Sequence, residues 1–397
     1  MTAPDFTADA AGILPELVAL RRALHADPEL GLDLPRTQQK VLDALAGLPL
    51  EISTGTATTS VVAVLRGAHP GPAVLLRGDM DALPIDEATG LDFASDNGNM
   101  HACGHDLHTA GLVGAAKLLA ARQDELHGSV IFMFQPGEEG HGGAKVMLDE
   151  GLLDAAGGRP VAAYAIHVAP GPRGVFATRP GAVAAGSNQL HVTVKGRGGH
   201  GSQPQQTLDP VPAAAEIVLA LQSFVTRRFD AFDPIVLSVT RLSTGDGAVN
   251  VIPEQVELAA TVRNMSPASL KTLQEGLPRV IDGVVSAHGL TADVSFETMY
   301  PVTVNDPAET EETVEVLRDT FGEQRVTIMP TPMMGSEDFA FVLNEVPGTF
   351  IALMTSPPET DLATVEWNHS PRVIFDDAVL GDQAAALAAV AFARTAR

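Results

Sequence analysis

The run Ala73-Val74-Leu75-Leu76-Arg77-Gly78-Asp79-Met80-Asp81 is a short apolar stretch that ends in two acids. An unbroken apolar run of that length predicts a strand buried on both faces, and the acids fall at its carboxyl end. Upstream, Val61-Val62-Ala63-Val64-Leu65 is a second run of the same kind, and Leu14 to Leu24 repeats apolar residues at helical spacing before Pro28. Downstream, Leu107 to Ala121 is rich in Ala and Leu and predicts a helix, and Ser129 to Phe134 predicts a strand with Glu138-Glu139 just past its end. Ala163 to Val168 repeats the arrangement, with His167 near the strand terminus. Strand and helix alternating, with polar residues at strand ends, is the pattern of a doubly wound α/β domain whose ligands gather at that edge of the sheet.

From about Gly186 the pattern changes. Leu190 to Val194 alternates, Pro210 to Phe229 is helical, Ile235 to Leu242 and Val256 to Val262 are strands, Ser269 to His288 is helical, and Ala292 to Phe296 is a strand. That is the β-α-β-β-α-β order of a ferredoxin-like α+β unit. The α/β alternation resumes with Phe350 to Met354 and an Ala-rich helix after Asp376. The predicted organisation is an α/β catalytic domain over residues 1–185 and 298–397, interrupted by a satellite domain over 186–297.

Composition narrows the function classes. Across 397 residues, 49 Asp and Glu face 25 Lys and Arg, for a net charge of −24. Nucleic acid and anionic membrane are poor partners for such a surface, since both are bound through cationic side chains. No apolar run is long enough to span a bilayer, and no signal-peptide-like start is present. One cysteine excludes an internal disulfide and predicts a reducing, cytoplasmic setting.

That cysteine lies in Met100-His101-Ala102-Cys103-Gly104-His105-Asp106. Cys103 and His105 are two residues apart, so both can face one side of a turn. Soft sulfur beside borderline nitrogen suits a transition metal; a Cys nucleophile with a His base is the alternative left open by the residues alone. Glu138 and Glu139 could be a solvated loop pair, or a metal ligand beside a free general base, the division of labour that metal-assisted hydrolysis needs. Asp79 and Asp81 could cap a turn, or orient a ligand imidazole or hold the base; the supporting role is favoured for Asp81. His167 and His369 are isolated, and spacing alone assigns neither.

Taken together these residues resemble the metal-dependent aminoacylase and carboxypeptidase family of metallopeptidases, in its amidohydrolase branch of N-acyl-amino-acid amidohydrolases, hippurate hydrolases and auxin-conjugate hydrolases. The resemblance runs from Arg21-Arg22-Ala23-Leu24-His25 through Asp79 to Ile85, Met100 to Asp106, Gln135 to Glu139, Gly198-Gly199-His200, Asn250 to Pro253 and Gly335 to Phe339, to His369-Ser370-Pro371. It implies a zinc-exopeptidase-like catalytic domain with two divalent metal ions, Zn or Mn first and Co or Ni next, held by Cys103, His105, Glu139, His167 and His369. It implies Glu138 as general base, Asp81 as its support, and His200 entering the partner's site across a homodimer formed by the satellites, with a tetramer as the larger option. Asn250 and Arg263 match substrate-contacting positions, and Gly335 to Phe339 is expected to close the pocket. Three residues depart from the family pattern: Leu34 where Glu is usual, Gln205 where His is frequent, and Gly137 where Ala is common. The expected reaction is hydrolysis of the amide of a small N-acyl amino acid. Rival readings are a dipeptidase or exopeptidase using the same site, a cysteine amidase, and a catalytically silent metal-binding scaffold.

Overall fold

In the computed structural model, which describes residues 4–397, the chain forms two compact units. The larger contains the chain up to Val183, then Val304–Pro332 and Asp338–Arg397; the smaller contains Ala184–Thr303 and Met333–Glu337. The short Met333–Glu337 run lies outside the stretch that the sequence pattern assigned to the satellite. It belongs to the smaller unit because the Ala185 amide donates to the carbonyls of Met333 (3.1 Å) and Gly335 (2.9 Å).

The larger unit is built on an eight-stranded sheet. Four parallel strands form its centre, in the order His127–Gln135, His69–Asp79, Ala162–Pro172 and Gly348–Ser356. Their middles are almost wholly buried, as unbroken apolar runs require when helices cover both faces. Antiparallel Val61–Arg66 and Leu50–Thr54 extend one side, and Phe176–Thr178 with Val326–Ile328 extend the other. The last two have only three residues each, too few for a periodic signal. The register brings Asp79 beside Gln135, and Arg77 beside Ala165 two residues short of His167. Polar side chains are thereby delivered together at the carboxyl edge of the sheet.

Helices Phe6–His25, His105–Ala120 and Val379–Thr395 pack on one another over a core that includes Leu17, Leu112, Val113 and Leu387. A methyl group on Gly114 would stand 2.6 Å from the Ala384 Cβ, so the close approach of two of these helices requires glycine there. Leu34, where the family usually carries Glu, is fully buried in this core.

The smaller unit is a four-stranded antiparallel sheet in the order Val236–Ser243, Gln255–Asn264, Gly186–Lys195, Thr291–Tyr300. Its alternating residues Leu190, Val192 and Val194 pack with Ile217 of helix Pro210–Arg228 and Leu277 of helix Pro267–Ala287. Both helices begin with Pro at the first turn and a side-chain cap, Asp209 and Ser266 respectively, which is why they start where they do. Among the described residues no helix is long and apolar enough to cross a membrane.

A buried ionic network ties the first helix to the segment that carries the Cys-Gly-His motif. Arg21 Nε lies 2.7 Å from Asp106 Oδ2 and its Nη1 3.0 Å from Asp377 Oδ1, while His25 Nδ1 and Nε2 meet Asp106 Oδ2 (2.8 Å) and Glu87 Oε1 (3.1 Å). Burial pushes the His25 imidazole down, but the Asp106 and Glu87 carboxylates outweigh it and raise the pKa to about 9. A histidine raised in this way stabilises the fold below its ordinary pKa of about 6.5 and loses that contribution as the pH climbs to the raised value. The difference in urea midpoint between the parent and His25→Gln is therefore expected to be greatest below about pH 6.5 and to shrink up to about pH 9. A difference independent of pH would refute a charged His25.

Candidate metal centre

Asp81 follows the central strand His69–Asp79 and turns inward. Its Oδ1 accepts the Glu138 amide N–H at 3.0 Å and its Oδ2 accepts that of Glu139 at 2.9 Å. The left-handed Gly137 (φ 73°) makes the turn that points both amides at one carboxylate. The Asp81 carbonyl takes the His105 Nδ1 proton at 2.8 Å. One residue thus sets the backbone of both glutamates and the tautomer of His105.

With Nδ1 committed, the buried His105 Nε2 has no hydrogen bond and lies 3.4 Å from Asp79 Oδ2 and 4.0 Å from Glu139 Oε1. A lone pair facing two carboxylate oxygens requires a proton or a cation between them. Without a metal ion the proton is favoured: burial lowers the His105 pKa, but Asp79 and its other partners lift it well above the usual range.

Cys103 and His105 are set by Gly104, whose φ of 85° lets the chain turn into helix His105–Ala120. A Cβ there would come 2.2 Å from Val168 Cγ2, so no other residue fits. Cys103 Sγ lies 3.5 Å from His167 Nε2, and His167 Nδ1 donates to the Val168 carbonyl at 2.8 Å, which aims Nε2 at the sulfur. Burial first, then neighbouring His108, pushes His167 well below the ordinary range, so it is a neutral donor. His369 Nε2 lies 3.2 Å from Glu139 Oε1, and its imidazole is raised to about 10, by the Cys103 sulfur first and the Glu139 carboxylate next.

The ligand-type atoms of Cys103, His105 and His167 lie within 4.8 Å of one another, as do those of Cys103, Glu139 and His369, and those of His105, Glu138 and Glu139. Cys103 is common to the first two sets, so the geometry can accept two ions on either side of one sulfur. Asp79, His105 and His108 satisfy the same distance test. His108 is nevertheless spent: its Nε2 accepts the Val168 N–H at 2.8 Å and its Nδ1 donates to Asp79 Oδ1 at 2.5 Å. The donors otherwise fit divalent ions, as does the charge. Asp79, Asp81, Glu138 and Asp338 are buried and Glu139 nearly so, with the buried guanidinium of Arg77 among them. Arg77 bridges Asp79 (2.7 Å) and Asp338 (3.1 Å), and His369 faces Glu139.

Within the run Gly335 to Phe339, Asp338 is fully buried, accepting from Gln135 Nε2 (2.8 Å) and the Ala144 amide (3.0 Å), while its own amide donates to Glu138 Oε1 at 3.4 Å. In the smaller unit, His200 is exposed on strand Gly199–His200, paired with Val251–Ile252, and the Gly201 amide donates to the Asn250 carbonyl at 2.8 Å. His200 and Asn250 are thus brought together. Arg263 is not with them: it lies eight residues along Gln255–Asn264 from the end near them, on the order of 26 Å away. Gln205 is exposed in the turn Pro204–Gln206.

The model of peptidase family M20/M25/M40 matches residues 75–392. Thermostable carboxypeptidase 1 of Saccharolobus solfataricus is 36% identical over 385 residues, covering 95% of this chain and 95% of that protein. N-acetylcysteine deacetylase of Bacillus subtilis is 35% identical, over 92% of this chain and 93% of its own length. The crystal structure of Bacillus subtilis YXEP, described as a dinuclear metal binding peptidase from family M20, matches with a TM-score of 0.83 at 31% identity, covering 97% of this chain and 99% of that one. The motifs, the sheet edge and these likenesses agree: the chain belongs to peptidase family M20/M25/M40 and is a hydrolase.

Proposed function

We propose that this protein hydrolyses the amide bond of N-acyl amino acids at a dinuclear metal centre. The observation that carries the reading is Cys103 Sγ standing in two donor sets at once, with Glu138 buried alongside. Cys103, His105, Glu139, His167 and His369 hold the two divalent ions, Zn or Mn in preference to Co or Ni, since the set mixes S, N and O donors. When bound, the ions supply Lewis-acid charge that acidifies water and polarises the scissile carbonyl.

Glu138 is the general base. Asp81 fixes its backbone and the Asp338 amide approaches its carboxylate, while Glu139 is the acid engaged with His369 and Cys103, which supports the division of labour between the two. Glu138 takes a proton from the attacking water as the new C–O bond forms, then delivers it to the leaving nitrogen as the C–N bond breaks, releasing a carboxylate and an amino acid. The oxyanion is met by an imidazole donor, His200 of a second copy. Asn250, arriving with His200 from the second copy, and Arg263 of the first contact the substrate; the Arg263 guanidinium has the neutral Thr261 hydroxyl as a partner at 2.8 Å, which suits a substrate carboxylate.

Dimerisation through the satellite is supported by Val236–Ser243, an edge strand of its sheet, and by Leu219, 72% exposed on the adjoining helix. The free thiol suits a reducing cytoplasm. The N-acetylcysteine deacetylase among the relatives favours acylated substrates, and the carboxypeptidase keeps an exopeptidase reading as the alternative. Turnover of free-amine dipeptides in preference to N-acyl amino acids would select the latter.

Dialysis against a chelator is expected to abolish N-acyl amino acid hydrolysis, and Mn²⁺ or Zn²⁺ to restore it; undiminished turnover in metal-free protein would sink the mechanism. Glu138→Gln is expected to keep its metal content by elemental analysis while losing roughly 10²–10⁴-fold in kcat. Mixing the inactive variants Glu138→Gln and His200→Ala after subunit exchange should recover about a quarter of the parent activity, because half the dimers are mixed and each holds one complete site. No recovery would place His200 outside the partner's site.

A further inference from the structure

We propose that Asn368 is a positioning residue of the metal centre, whose one amide nitrogen locks together the segments carrying Cys103, His167 and His369. The inference rests on the reading of those three residues as metal ligands. Residues 357–378 contain no helix or strand, so no regular element holds His369 in place. His369 also has a φ of 72°, the sole described residue other than glycine with positive φ, and a backbone so strained must be held by its surroundings.

The hold comes from two directions. The His369 amide donates to the Ala102 carbonyl at 2.9 Å. Asn368 Nδ2 donates to the carbonyls of Cys103 (3.2 Å) and Val168 (3.1 Å) and lies 3.8 Å from Cys103 Sγ. Both carbonyls are acceptors, so the nitrogen rather than the oxygen of the amide must face them. The Val168 carbonyl is the one that orients His167 through Nδ1. Three proposed ligands from distant parts of the chain therefore refer to one side chain, and its N–H groups lie where they temper the charge of a thiolate. An amide does not titrate, so the hold is independent of pH.

The test uses the full-length protein, stripped of metal and titrated with Co²⁺. Cys103 thiolate bound to Co²⁺ gives a near-ultraviolet charge-transfer band, a signature that a merely structural residue would leave unmoved. Asn368→Ala and the isosteric Asn368→Asp are expected to fold with a lowered metal-free thermal midpoint, to bind Co²⁺ roughly 10–100-fold more weakly, and to shift or weaken that band. If Asn368→Ala fails to fold, the Asp variant, which preserves shape but removes both donors, decides. Parent-like affinity and spectrum in a folded variant would overturn the positioning role while leaving the ligand assignment standing. A parent protein with no thiolate band would overturn the ligand assignment and this inference with it.

Discussion

The capture of two consecutive amides by the Asp81 carboxylate is the contact on which the centre depends. Adjacent glutamates at a strand end would otherwise repel each other and swing into solvent. By accepting from both backbone N–H groups, Asp81 fixes where Glu138 and Glu139 start, and its own carbonyl fixes the His105 tautomer. A charge-assisted pair of hydrogen bonds in a buried setting is stronger than neutral ones, and losing it would leave two amides unsatisfied. The parallel strands supply the platform, because their register puts Asp79, Gln135 and the approach to His167 side by side.

Around that contact the fold gathers several buried carboxylates. Arg77 balances Asp79 and Asp338, and Asp106 is satisfied behind the site by Arg21 and His25. What remains is aimed inward at His105, Cys103 and Glu139. The arrangement is costly without cations and well suited to them, so the donor geometry and the electrostatics point the same way.

Much of this was legible in the residues themselves. Continuous apolar runs ending in acids or histidine marked the parallel strands, and strict alternation marked the satellite; the motifs around Cys103 and Glu138 carried the family. The missing parts share one physical cause. Asn368 acts on the Cys103 backbone from 265 residues away, and Asp338 is drawn beneath Glu138 by Arg77 and Gln135, contacts between a side chain and distant groups that leave no periodic trace. His108 follows that motif by two residues, and only the Val168 N–H on its Nε2 reveals that it is spent. Leu34 departs from the family pattern and lies in the core.

The long irregular connection that carries His369 also has a bearing on how the protein is made. A chain emerging from its amino end exposes Cys103, His105, Glu139 and His167 while some two hundred residues, the whole satellite among them, are still to be synthesised before His369. An ion captured at that stage would meet an incomplete set of the proposed donors, and the last strand, Gly348–Ser356, must join the sheet before the His369 imidazole can arrive. Contacts of such sequence separation close late in folding. Completion of the proposed donor set is thereby tied to completion of the chain.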